Sequence, residues 1–171
     1  NTGLTIKNLR WLAINMIKCE GAQRKAGAEV ALKASVMLAQ DLDKGKINPE
    51  DWFSKNELAG LEEDKEAFNK AIAERKEQIK FGCGEAALWA AKYKESDDFL
   101  KAILKNEKTP YYYKANFLLS EAYTELARQT DDKSEKGKFF NKAIIALSDV
   151  ANYTDKVSLK FESGCKTGDI Y

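Results

Sequence analysis

Few side chains in this sequence of 171 residues have types and spacings that indicate catalysis or metal binding. The sequence contains no histidine, which removes the usual general base near neutral pH and a common zinc ligand. Its three cysteines, Cys19, Cys83 and Cys165, are widely spaced and match neither a CxxC metal knuckle nor a closed set of disulfides. We expect each cysteine to be a small buried hydrophobic residue in a protein from a reducing compartment.

The acidic and glycine-rich segments have structural interpretations. The acids at 62–64 and at 97–98 could supply acid–base groups or hold a cation, but both runs lie at predicted helix starts, where acids favour the helix dipole. The segment Gly82-Cys83-Gly84 lacks the further glycine and the preceding strand of a dinucleotide-binding fingerprint, so we interpret it as a junction between helices. The sequence therefore predicts no catalytic residues, no metal, no cofactor and no enzymatic activity.

Charge and hydropathy exclude further classes of partner. The chain has 28 Lys and Arg against 27 Asp and Glu, and this balance lacks the basic excess of a nucleic-acid binder. No run of about 18 apolar residues is present to span a membrane. We expect a protein that resides in the cytoplasm, or in the periplasm if a signal peptide has been removed.

The elements that position these residues are predicted to be helices. Only two prolines and ten glycines occur, and apolar residues recur with a spacing of about 3.6. We predict an all-α protein of nine helices, over residues 4–19, 23–42, 49–59, 62–80, 84–93, 96–106, 110–128, 134–152 and from 154 or 155 onward. The first has an apolar stripe formed by Leu9, Trp11, Leu12, Ile14, Met16 and Ile17. The second has a face of small and apolar residues, Gly27, Ala31, Ala34, Leu38 and Leu42.

A five-residue word recurs along the chain. It begins at Phe68, Phe99 and Phe140, each time continuing with Ala three positions later and then Ile, and the copies lie 31 and 41 residues apart. A small residue precedes a tyrosine by three positions at Ala90 and Tyr93, at Ser120 and Tyr123, and at Gly168 and Tyr171. A period of this length in a helical chain is typical of a solenoid.

This pattern resembles the tetratricopeptide repeat. The resemblance implies an all-α, right-handed α-solenoid of stacked antiparallel helix pairs. Residues 1–48 would form an N-terminal hairpin, either a divergent repeat or a cap. Residues 49–171 would form repeats at about 49–80, 81–109 and 110–153, followed by the first helix of a further repeat at 154–171. The first repeat departs from the pattern, with Glu62 where tyrosine is expected, and the third has a ten-residue insertion. The implied repeat-packing residues are Phe68, Ala71, Ala90, Tyr93, Phe99, Ala102, Tyr123, Phe140 and Ala143.

The resemblance also implies a function, since the concave side of such a solenoid binds a peptide or partner protein. The residues expected to line this groove are Asn56, Lys94, Lys114, Phe117, Glu121 and Thr124. The carboxylate clamp of some family members is not reproduced, because Glu121 follows Lys114 where asparagine is expected. We therefore predict a scaffold or adaptor rather than a receptor for chaperone tails.

Two alternatives to this function remain open: a structural solenoid that self-assembles into homo-oligomers through its terminal repeat, and an all-helical enzyme or ligand-binding bundle.

Three consecutive tyrosines, 111–113, point in directions roughly 100° apart on a helix, so they are not expected to form one binding face. We expect at least one of them in the core and another exposed as an aromatic anchor for a partner.

Overall fold

A computed structural model describes residues 2–18, 21–46, 53–61 and 64–170 of the chain, together with all of their side chains except those of residues 2–7 and 55. Within these ranges the protein is all-helical and contains no strand, which confirms the predicted all-α class. The eight helices are α1 (Thr2–Ile17), α2 (Gly21–Asp43), α3 (Lys55–Leu61), α4 (Lys65–Trp89), α5 (Tyr93–Leu104), α6 (Tyr112–Gln129), α7 (Lys133–Tyr153) and α8 (Val157–Ile170). The predicted helix start at Pro49 lies outside the described residues, as do Cys19, Glu62, Glu63 and Tyr171.

The chain divides into two compact units, Asn1–Ala90 (unit 1) and Ala91–Tyr171 (unit 2). In unit 1, α2 packs against both α1 and α4. The predicted face of α2 is confirmed, because all five of its residues are buried. Gly27 is required for this packing, since a Cβ added there would lie only 2.4 Å from the Cβ of Met16 on α1. The apolar stripe predicted for α1 is buried only in part, because Leu9, Trp11 and Leu12 are exposed.

The helix break predicted around Gly82 and Gly84 is wrong. The structure has one helix, α4, where two were expected, and it runs through both glycines. Cys83 and Gly84 are buried within it. Gly82 lies against α1, where an added Cβ would be 2.5 Å from the Nη2 atom of Arg10. Burial of this segment therefore outweighs the roughly 1 kcal/mol by which each glycine disfavours a helix.

The helix predicted to contain both Ala90 and Tyr93 also differs from the structure. Ala90 is the C-cap of α4, Ala91 adopts a left-handed backbone conformation with φ of 59°, and Tyr93 is the first residue of α5. The left-handed residue ends the α-helical hydrogen-bond pattern. Ala90 and Tyr93 therefore do not share a helix, whereas Ser120 and Tyr123 do share α6 as predicted.

In unit 2, α6 packs between α5 and α7, and α7 packs against α8. Three residues join α6 to α7 and three join α7 to α8, so each packed pair runs antiparallel. The side chain of Asp132 caps α7 by accepting a hydrogen bond of 2.7 Å from the backbone N–H of Glu135. A buried cluster of Phe117, Leu147 and Val150 joins α6 to α7.

The cysteines divide into two environments. Cys83 is fully buried, as predicted, and burial raises the pKa of its thiol to about 11 against the opposing effect of Arg10 and Lys80. Cys165 is exposed on α8, so the prediction of burial is wrong there.

Along the described part of the chain, no helix combines the length and apolarity needed to cross a bilayer.

Candidate functional site

Four of the predicted groove residues lie on α6, where the structure separates them by depth. Lys114 is exposed and Glu121 and Thr124 are half-buried. Phe117 is only 8% exposed and belongs to the buried cluster between α6 and α7. Phe117, Glu121 and Thr124 follow one another at helical spacing and share a face of the helix. The structure therefore brings these three together, but Phe117 packs beneath the surface.

Glu121 and Thr124 line a cleft bounded by α6, α7 and α8, which we call the α6–α8 cleft. Its volume is about 240 Å³. Its walls and floor are formed by Ser120, Glu121, Thr124, Glu125 and Arg128 of α6, Phe140 and Leu147 of α7, and Lys166, Asp169 and Ile170 of α8. Apolar groups and charges of both signs thus converge on one concave surface.

Four of the five charged residues of the cleft form ion pairs, one pair between α8 and α6 and one along α6. The Nζ atom of Lys166 donates a hydrogen bond to the Glu121 carboxylate and lies 5.1 Å from the ring centroid of Phe117. Arg128 pairs with Glu125 along α6. Asp169 is exposed at the rim and has no ion-pair partner among the described residues. Lys166 therefore connects α8 to α6 through a charge pair and a cation–π contact.

The hydroxyl groups of the cleft are held by the backbone of α6. Ser120 Oγ donates to the carbonyl of Phe117 at 2.6 Å, and Thr124 Oγ1 donates to the carbonyl of Ser120 at 2.8 Å. Their protons are thereby engaged, and their oxygens can still accept a hydrogen bond. Within the ranges that the structure describes, no group of three or more Cys, Asp and Glu side chains is placed to hold a metal ion.

The remaining predicted groove residues lie elsewhere. Asn56 is exposed on α3 in unit 1. Lys94 is exposed on α5 and lines a separate hollow between the start of α5 and the end of α6, together with Tyr93 and Leu126. Burial raises the pKa of Tyr93, and the negative charge of Glu125 raises it further. The positive charge of Arg128 lowers this pKa.

The residues expected to pack the repeats are buried to different extents. Ala90, Tyr123 and Ala143 are buried. Phe68, Ala71, Tyr93, Phe99 and Phe140 are half-buried. Ala102 is exposed on α5. In unit 1 the ring of Phe68 lies 6.3 Å from that of Phe53.

Tyr123 is the centre of a polar network that its place in the sequence pattern does not indicate. Its hydroxyl donates a hydrogen bond of 2.7 Å to Asp97 Oδ1, and Lys101 Nζ lies 2.7 Å from the other oxygen of Asp97. The ring stacks on Phe139 at 6.4 Å, and Lys142 Nζ lies 5.6 Å from the Tyr123 centroid. Burial, the hydrogen bond to Asp97 and the charge of Asp97 all hold the Tyr123 pKa well above its usual value. The spacing of Asp97 and Lys101, four residues apart on a helix, is the one sequence signal of this network.

The α8 side of the cleft, formed by Lys166, Asp169 and Ile170, was not identified from the sequence. These residues lie one helix beyond the last complete copy of the repeated word. The spacing used to predict the groove residues applies only to complete copies, so it does not identify residues of α8. The available signal was Gly168, from which the sequence pattern predicts the first helix of a further repeat.

Comparisons with known proteins place this chain in no family. A scan against protein-family models, a search of curated proteins and a search of solved structures each gave no significant match.

Proposed function

We propose that this chain is a protein-interaction module, a right-handed α-solenoid of tetratricopeptide-like helix pairs that binds a peptide segment of a partner protein as a scaffold or adaptor. In such a solenoid the first helices of successive pairs lie side by side and line the groove. In unit 2, α6 and α8 are the two candidate first helices, and they contact each other as well as α7. This neighbour relation supports the proposal.

The observation that carries the proposal is the α6–α8 cleft. The repeat pattern predicts Glu121 and Thr124 as groove residues, and both line the concave surface between α6 and α8. At about 240 Å³ the cleft is smaller than the roughly 300–1,000 Å³ of typical small-molecule and cofactor sites. Its size therefore suits one or two side chains of an extended peptide rather than a complete cofactor.

The lining residues indicate the composition of such a peptide. Phe140, Leu147 and Ile170 supply apolar surface for an aliphatic or aromatic side chain. Asp169, which has no ion-pair partner among the described residues, would accept hydrogen bonds from backbone amides or a basic side chain of the peptide. A peptide with an apolar anchor beside polar or basic residues therefore fits the cleft.

The test is a peptide selection followed by calorimetry. A random peptide library is displayed against the intact chain, and the affinity of the selected peptides is measured for the wild type and for Thr124→Trp, whose side chain would fill the cleft. Asn141→Trp, at an exposed position of α7, is the matched control. We expect Thr124→Trp to weaken binding by at least about tenfold, the loss of roughly one hot-spot contact, and Asn141→Trp to leave it unchanged. Equal affinities for the three proteins would contradict the proposal.

A self-assembling structural solenoid is the second candidate, and the outer face of α8 favours it. Phe161 is 73% exposed there and Val157 is also exposed. Gly164 and Gly168 have no atom within 4 Å of where a Cβ would lie. This face would allow the close approach of a helix from a second copy. Analytical ultracentrifugation over a range of concentrations separates the candidates, since self-assembly predicts a mass that rises with concentration and falls again in Phe161→Glu.

A further inference from the structure

A second pocket of unit 2 lies between the loop before α6 and the last turns of α7. Its volume is about 400 Å³. Three tyrosine rings, two carboxylates and one threonine line it, namely Tyr112, Tyr113, Tyr153, Glu107, Asp149 and Thr109. We call this the tyrosine pocket. It shares no residue with the α6–α8 cleft.

The residues that position the tyrosine pocket are held by buried contacts. Thr109 is buried, and it accepts hydrogen bonds of 3.2 Å from the backbone N–H of Tyr111 through its hydroxyl and from that of Tyr112 through its carbonyl. Tyr113 packs against the buried cluster that contains Phe117. The start of α6 is therefore fixed before any ligand arrives, which lowers the entropic cost of binding.

The rings are arranged with aromatic surface available to a ligand. Tyr112 and Tyr113 meet edge to face, with centroids 5.4 Å apart and an interplanar angle of 90°. The two consecutive tyrosines thus share one pocket, although their positions on a helix predicted different directions. Tyr153, the last residue of α7, is 68% exposed. Tyrosine is enriched among the residues that dominate binding at interfaces, and this exposed ring is accessible to a ligand.

The charge of the tyrosine pocket is negative. Neither Glu107 nor Asp149 has an ion-pair partner among the described residues, and no basic side chain lines the pocket. Among the residues that line the pocket, the two carboxylates therefore carry the formal charge.

We propose that the tyrosine pocket binds an organic ammonium cation. The faces of tyrosine rings carry the negative part of the ring quadrupole and attract a cation within about 6 Å, and nearby carboxylates add a direct charge attraction. An anion would be repelled by Glu107 and Asp149. A hard metal ion prefers six or more oxygen ligands, and two carboxylates beside three rings do not provide them. The same chemistry would recognise a free quaternary amine or the lysine side chain, methylated or not, of a partner protein.

The first test compares choline with 3,3-dimethyl-1-butanol, which has the same shape without the charge. Each is titrated into the intact chain while the tyrosine ring signals are followed by nuclear magnetic resonance. We expect choline to shift the signals of Tyr112, Tyr113 and Tyr153 in a saturable manner, and the alcohol to leave them in place. Absence of saturable shifts with choline at millimolar concentrations, or equal binding of the alcohol, would overturn the assignment of a cation site.

Two variants at exposed positions locate the binding. Tyr153→Leu removes one ring, and Glu107→Gln removes one charge while keeping the shape of the side chain. We expect Tyr153→Leu to weaken binding of choline about two- to fivefold, the effect of one exposed cation–π contact. Glu135→Gln, an exposed carboxylate at the start of α7 and outside the pocket, is the matched control for Glu107→Gln. Undiminished binding in both pocket variants would overturn the proposal.

A third arm distinguishes the two sources of the cation. Short peptides that carry trimethyllysine, lysine or the neutral norleucine at one position are titrated alongside choline. Tighter binding of a lysine or trimethyllysine peptide than of choline would assign the cation to a partner protein, and the reverse order would assign it to a small amine. Either order supports a cation site. Equal binding of the norleucine peptide would overturn it.

Discussion

The hydrogen bond between Tyr123 and Asp97 provides a sharp test of how unit 2 is held together. Tyr123 is only 5% exposed, and its hydroxyl lies 2.7 Å from the Asp97 carboxylate on the neighbouring helix α5. The substitution Tyr123→Phe removes this hydrogen bond and retains the ring that stacks on Phe139. It therefore removes a single polar contact between α5 and α6 and leaves no cavity.

The expected loss follows from the chemistry of the pair. A hydrogen bond to a charged group contributes about 1.5–3 kcal/mol to the free energy of unfolding. The Asp97 side chain is 19% exposed and keeps its ion pair with Lys101, so the carboxylate left behind remains partly satisfied. The lower end of the range applies, and we expect Tyr123→Phe to cost about 1.5 kcal/mol. Urea denaturation followed by circular dichroism measures this loss directly.

A control variant and a double-mutant cycle complete this test. Tyr93→Phe is the matched control, because the Tyr93 hydroxyl has no hydrogen-bond partner among the described residues, and we expect its free energy of unfolding to be unchanged. A double-mutant cycle with Asp97→Ala should give a coupling energy of about 1 kcal/mol or more between Tyr123 and Asp97. A loss below about 0.5 kcal/mol in Tyr123→Phe, or an equal loss in Tyr93→Phe, would refute the assigned role of the hydrogen bond.

Three other measurements test the packing and the titrating groups. Because the folded-state pKa of Tyr123 is raised, its contribution is complete below the unfolded-state pKa of about 10 and is lost as pH rises above it, so the wild type should lose more stability at alkaline pH than Tyr123→Phe. Gly27→Ala should lower the free energy of unfolding by about 1–3 kcal/mol through overpacking, whereas Gly164→Ala, in open space, should raise it by about 1 kcal/mol in a denaturation series. Iodoacetamide followed by peptide mass mapping should label Cys165 in the native protein and Cys83 only after unfolding, since Cys83 is buried with a raised pKa.

The helices themselves are largely determined by local sequence. The low content of proline and glycine and the apolar period of about 3.6 identify the helical segments, and the limits predicted for α6 and α7 agree with the structure within two residues. The buried face of α2 was also predictable, because Gly27, Ala31 and Leu38 share it at helical spacing. Both features depend on residues that lie close together in the chain.

The wrong predictions of a helix end and of burial concern residues whose structure depends on contacts with segments distant in the sequence. Gly82 and Gly84 favour a helix end when only their neighbours are considered, but contact with α1 and burial of Cys83 keep α4 continuous. The apolar period of α1 predicts a buried stripe, yet Trp11 is 69% exposed, whereas Ala13 and Met16 lie against Gly27 of α2. The local sequence pattern determines where an apolar residue lies around a helix, but its burial depends on whether another helix packs against that position.

The same distinction explains what could be predicted of the two pockets. The spacing of Phe117, Glu121 and Thr124 correctly placed them on one face of α6, but their depth depends on α7 and α8, which bury Phe117 and leave the other two to line the cleft. Tyr112 and Tyr153 are separated by about forty residues, and only the packing of α6 against α7 brings their rings to one pocket. A spacing rule applied to one helix therefore finds residues that share a face, whereas a concave site requires at least two helices and the charges that both contribute.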